Sequence, residues 1–71
     1  MMTGWWIMKA REVIALLTKN GWKLTRVTGS HYQYKKPGVP FLATVPNHVG
    51  KDISVGVLTS LRKGTGIKEI I

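Results

Sequence analysis

Cysteine is absent, which removes disulfides and thiolate metal sites from consideration. A small chain without such staples holds itself together by packing, or gains stability from a partner. Acidic residues are scarce as well: Asp and Glu number 3 against 11 Lys and Arg, for a formal charge of +8. With carboxylates only at Glu12, Asp52 and Glu69, glycosidase and two-metal chemistry lack their paired acids. Histidine occurs only at His31 and His48, and two imidazoles without a clustered carboxylate make a poor metal site. The glycines are scattered and match neither phosphate-loop nor dinucleotide-binding spacing, so no metal and no cofactor are expected. Long apolar runs are missing too. Met1 to Met8, with Trp5, Trp6 and Ile7, is too short to span a bilayer and has no charged leader with a cleavage site. No membrane association is expected, and a cysteine-free composition suits a cytoplasmic location.

What is present fits one small domain. The 71 residues allow a single modest core, and 44% hydrophobic with 20% charged residues is an ordinary globular mix. The cations run from Lys9 to Lys68, so the charge belongs to the domain and not to a tail. Such a charge favours polyanions, nucleic acid first and an acidic protein next. Residues 8–71 are taken as the domain and 1–7 as an N-terminal extension, with Met8 an alternative start. The pair Trp5 and Trp6 would then pack locally, or stack on bases or on a partner.

Ala10, Val13, Ile14 and Leu17 recur at helical spacing from Lys9 to Asn20, with Leu16 widening the stripe. Gly21 can close that helix in the left-handed conformation, letting Trp22 fold back onto Leu17. Strand formers fill Trp22 to Val27, with Thr28-Gly29 as the turn. His31 to Lys36 alternates: His31, Gln33 and Lys35 share one face, Tyr32 and Tyr34 the other. Pro37-Gly38 and Pro40 read as a loop, Phe41 to Val45 as a third strand, and Pro46 as its end. Asn47 to Ile53 reads as a loop. Ser54 is the expected N-cap of a second helix reaching about Lys63, with Val55, Leu58 and Leu61 buried, and Gly64 and Gly66 ending it. The sequence predicts an α+β domain, α-β-β-β-α: a three-stranded antiparallel sheet with both helices on one face. Gln33, Lys35 and His31 would project from the open face.

RNA cleavage asks for little machinery. The 2′-hydroxyl attacks its own phosphate once a base takes its proton and an acid protects the leaving oxygen. Histidine suits either role, since its ordinary pKa of about 6.5 lies near neutrality. Cations such as Lys35 can stabilise the charge building on phosphate. His31 follows Gly29-Ser30, a turn where backbone can approach a ligand closely. A lone histidine beside a tyrosine is as a rule structural, and His48, in Pro46-Asn47-His48, has a solvated loop position as its plain alternative. Ser30 lacks a nucleophile elbow or triad and reads as a turn hydroxyl bonded to nearby backbone. Lys35 and Lys36 serve either as a solvated strand end or as phosphate contacts.

The ordered set of Lys9 to Leu17, Asn20-Gly21-Trp22, Arg26, Gly29-Ser30-His31, Tyr34, Val45-Pro46-Asn47-His48, Gly56-Val57-Leu58 and Leu61-Arg62-Lys63 resembles the HicA toxins of prokaryotic toxin–antitoxin pairs. The resemblance covers about residues 8 to 67. It implies a double-stranded-RNA-binding-like fold, messenger RNA cleavage independent of the ribosome, and an essential histidine at His31. His48 becomes a secondary catalytic candidate. A HicB-like antitoxin that covers the active site in a hetero-oligomer is implied as well. Gly64-Thr65-Gly66 departs from the family, where alanine is common near Thr65, and should loosen the helix end. The leading expectation is a metal-independent endoribonuclease using His31, with Arg26, Ser30, Gln33, Lys35 and Lys36 contacting RNA. The alternative is a non-catalytic module that reads RNA backbone and shape.

Overall fold

The computed structural model describes residues 8–48 and 50–70; the segment 1–7, with Trp5 and Trp6, lies outside them. The elements are β1 (Met8–Lys9), α1 (Ala10–Lys19), β2 (Lys23–Thr28), β3 (His31–Lys36), β4 (Val39–Pro46), β5 (Asp52–Ile53) and α2 (Val55–Thr65). The main sheet is an antiparallel meander in the order β2-β3-β4. Both helices pack on its one face through a core that includes Val13, Leu17, Trp22, Tyr34, Ala43, Val45, Leu58 and Leu61. This is the expected α+β arrangement. Among the described residues no helix is long and apolar enough to cross a membrane.

The first helix forms as its stripe requires, with Ala10, Val13 and Leu17 buried. Its start is satisfied by the Glu12 carboxylate, which accepts from the Lys9 backbone N–H at 2.8 Å. Its end is a Schellman turn. Gly21 takes φ +90°, its N–H donates to Thr18, and the Trp22 N–H donates to Leu17 at 2.9 Å. That bond turns the chain so that Trp22 enters the core, where it is 2% exposed.

A second, two-stranded sheet was not expected from the sequence. β1 pairs with β5, Met8 opposite Ile53 and Lys9 opposite Asp52, so the expected loop from Asn47 to Ile53 ends in a strand. Two residues are too few to show a period of two. The Lys9 Nζ to Asp52 Oδ1 ion pair, 2.8 Å long and about half exposed, adds about 0–1 kcal/mol. The buried Ile53 side chain anchors the pair.

The third strand also differs from expectation. It begins at Val39 and runs through Pro40, where a loop is expected, and it ends at Pro46 as expected. β4 is an edge strand, so a missing outward N–H is harmless. Pro40 falls where the register with β3 slips, and Pro46 stands opposite His31. The imperfect alternation of β2 has a cause as well: a bulge between Leu24 and Arg26. Thr25 is the extra residue, its hydroxyl donating to the Gln33 carbonyl at 3.2 Å.

The second helix is capped by Ser54, whose hydroxyl accepts from the Val57 N–H at 3.4 Å. Two expectations fail here. Val55 is 52% exposed, so the buried row starts at Leu58. Gly64 lies inside the helix, which continues to Thr65 and closes at Gly66 with φ +75°. The glycine-rich end is therefore firm: Thr65 Oγ1 donates to Leu61 at 2.7 Å and accepts from the Ile67 N–H. The buried Ile67 and Ile70 then fold the tail onto the core.

Gly64 is there because the Phe41 ring lies against it, so that a Cβ would overlap the ring. Alanine favours a helix interior by about 1 kcal/mol over glycine, but the overlap costs about 1–3 kcal/mol. Gly64→Ala is expected to lower stability by about 1 kcal/mol in chemical melts. Gly56→Ala, whose Cβ meets nothing within 4 Å, should instead be neutral or stabilising. Equal responses at the two positions would refute the contact.

Candidate active site

β3 sorts its side chains by alternation. Tyr34 is buried and Tyr32 half-buried on the helix side, while His31, Gln33 and Lys35 fall on the open face. Burial pushes the Tyr34 phenol pKa up, with the Tyr32 phenol adding to it, so Tyr34 stays protonated near neutrality and supplies no base. Arg26 pairs opposite Gln33, Thr28 opposite His31 and Lys23 opposite Lys35. The bulge at Thr25 produces this arrangement. It keeps Leu24 and Val27 on the side of Tyr34 and Tyr32, and Arg26 on the side of Gln33.

The open face therefore grades from cations at one end to imidazole at the other. His31 and Lys35 are separated by about 13 Å, at ~3.3 Å per residue of strand. Lys23, Lys35 and Thr25 border a shallow cleft of about 490 Å³ at the far end. Lys36 borders it too, although alternation places it on the Tyr34 side. Its Cε passes 3.4 Å from where a Gly21 Cβ would sit. Lys35 and Lys36 thus leave the strand on opposite sides but border the same cleft.

At the other end two segments distant in sequence meet. The Asn47 N–H donates to the Ser30 carbonyl at 2.7 Å, and Ser30 Oγ lies 3.3 Å from His48 Nε2. The hydroxyl donates when that ring nitrogen is bare and accepts when it is protonated. Ser30 thus engages the second histidine, a correction to the reading in which its hydroxyl bonds nearby backbone. His31 itself is exposed and opposite Pro46. A turn then follows, with the Lys51 N–H donating to the His48 carbonyl at 3.0 Å and Gly50 at φ +73°. Two backbone hydrogen bonds, Asn47 to Ser30 and Lys51 to His48, thus tie the segment 47–51 to the turn that carries His31. Sequence reasoning singles out both histidines but not Lys51. Nor does it bring His48 to Ser30, because that contact depends on the register between β3 and β4. Among the described residues no three His, Cys, Asp or Glu side chains gather where a metal ion could be held.

Two helices on one face of a three-stranded antiparallel meander define a small α+β domain, consistent with the fold that the family resemblance implies. The family described as the HicA toxin of bacterial toxin–antitoxin systems matches residues 10–67, and the chain belongs to that family. It is accordingly the toxin of a toxin–antitoxin pair, with an antitoxin as its partner. Comparison with curated proteins returned no match.

Proposed function

We propose that the chain is an endoribonuclease that cuts messenger RNA without a metal ion, with His31 as general acid or base. The observation that carries the reading is the corner where Ser30-His31 is bonded to Asn47-His48 at the end of a basic, open sheet face. The 2′-oxygen attacks the adjacent phosphorus and the bond from phosphorus to the 5′-oxygen breaks. One group accepts the 2′-hydroxyl proton and another donates to the departing 5′-oxygen. His31 fills one role, and His48, the secondary candidate, stands in the same corner. Arg26, Gln33 and Lys35, with Ser30 at the turn and Lys36 at the strand end, bind the backbone. Such contacts position RNA without reading its sequence.

The same reading makes residues 8–71 the working domain, with 1–7 an extension, and places the activity in the cytoplasm with its substrate. It also explains how the antitoxin would act. A HicB-like partner that covers the histidine corner stops cleavage, and the +8 charge favours an acidic one. The test is purified protein with RNA in a chelating buffer. Fragments ending in a 2′,3′-cyclic phosphate are expected. Retarded but intact RNA would identify a non-catalytic binding module instead.

A further inference from the structure

Beyond the sheet face the molecule has a second basic feature. A cleft of about 200 Å³ is lined by Lys9, Arg11, Asn47, His48 and Lys51, among others. It lies between the start of α1 and the turn that follows His48, away from Arg26 and Lys35. We propose that this cleft is a phosphate subsite, holding an RNA phosphate next to the one being cut, with Arg11 and Lys51 as its ligands.

Among the described residues the lining carries cations and an imidazole but no carboxylate. Lys9 is already engaged by Asp52, which leaves Arg11 and Lys51, both exposed, to supply the charge for a ligand. The size suits a small anionic group. Pockets for drug-sized molecules begin at about 300 Å³, so a phosphate fits where a stacked base does not. Position decides between RNA and an acidic protein. His48 belongs to the cleft wall and also meets Ser30, so the cleft is continuous with the histidine corner. The Lys51-to-His48 and Asn47-to-Ser30 backbone bonds tie the segment that carries the cleft to the turn before His31. An RNA strand held at His31 can continue past His48 into this cationic hollow, whereas an acidic protein surface needs no hollow.

This subsite rests on the ribonuclease reading, and its test keeps the two separable. Binding of a single-stranded RNA oligonucleotide is measured against salt in the His31→Ala protein, which leaves the RNA whole. Arg11→Gln with Lys51→Gln is compared with Lys19→Gln with Lys63→Gln, an equal change of charge outside the cleft. The cleft pair is expected to weaken binding by about tenfold and to reduce the salt slope by about 0.7, the share of one phosphate on a single strand. The control pair should change both much less. In the chain that retains His31, the cleft pair should raise KM and leave kcat near its parent value, as loss of uniform binding requires. Circular dichroism checks that both pairs fold. If the cleft pair behaves as the control pair does, the subsite is overturned while cleavage and its dependence on His31 stand. Weakened antitoxin binding with unchanged RNA affinity would also overturn it, in favour of a protein contact. If the parent chain cuts no RNA, the nuclease reading falls, and the binding comparison still judges the cleft.

Discussion

Changing His31 to alanine is expected to slow RNA cleavage by about 10²–10⁴-fold, the span typical of a positioned acid or base, and to leave RNA affinity near the parent level. The two readouts should separate because they rest on different residues. On the proposed reading, affinity would come from cations spread over the sheet face and fall as salt rises. Rate depends on a proton moving at one place. His31 is exposed at the first residue of β3, so removing its ring opens no cavity and should not disturb the core. Single-turnover cleavage, with binding measured in parallel, is the check. Cleavage that continues at the parent rate would remove His31 from the chemistry. His48→Ala should also reduce cleavage, since its ring meets Ser30 within the same corner.

The largest effect on stability is expected at Trp22. Its side chain is 2% exposed and the largest among those fully buried. Its ring stands edge-on to Phe41, with centroids 6.4 Å apart at 81°. Truncating a buried Trp to Ala costs about 3–5 kcal/mol, and the aromatic pair adds about 0.5–1.5 kcal/mol beyond area. A domain of this length has a total stability of about 4–11 kcal/mol, at ~0.05–0.15 kcal/mol per residue. Trp22→Ala should therefore remove a third or more of it, read as a lower urea midpoint with an unchanged slope. The damage should spread. Trp22 supports Phe41, and Phe41 lies on Gly64 of α2, so one wedge joins the end of the first helix to the second. A loss of stability of less than about 0.5 kcal/mol, the scale of ordinary surface changes, would contradict that role.

The features legible in the sequence were those with local causes. The stripe of α1, its Schellman end at Gly21, the Ser54 cap and the alternation of β3 each follow from residues within one or two turns. The features that escaped depend on distant partners. Val55 has helical spacing with Leu58, but it stands in the first turn, where it is left exposed. Gly64 reads as a helix stop, yet its purpose is the ring of Phe41, reached only through tertiary packing. Pro40 reads as a breaker because sequence cannot say which strand lies at an edge. The site divides in the same way. The Gly29-Ser30-His31 turn and the Asn47-His48 step each stand out alone. Their meeting depends on β4 lying beside β3 in one register, and the placing of Lys51 depends on the turn built on that meeting.

The extra residue in β2 has a consequence for chain length. Were Thr25 paired regularly opposite Gln33, Arg26 would fall opposite Tyr32 on the helix side of the sheet and Val27 would stand beside His31. The looped-out position corrects the parity of the strand, so that a hydrophobic spacing of three still keeps oil and charge on opposite sides. Deleting Thr25 straightens the strand without turning any neighbour over, whereas inserting one residue after Arg26 reverses Val27 and Thr28 unless a second bulge absorbs it.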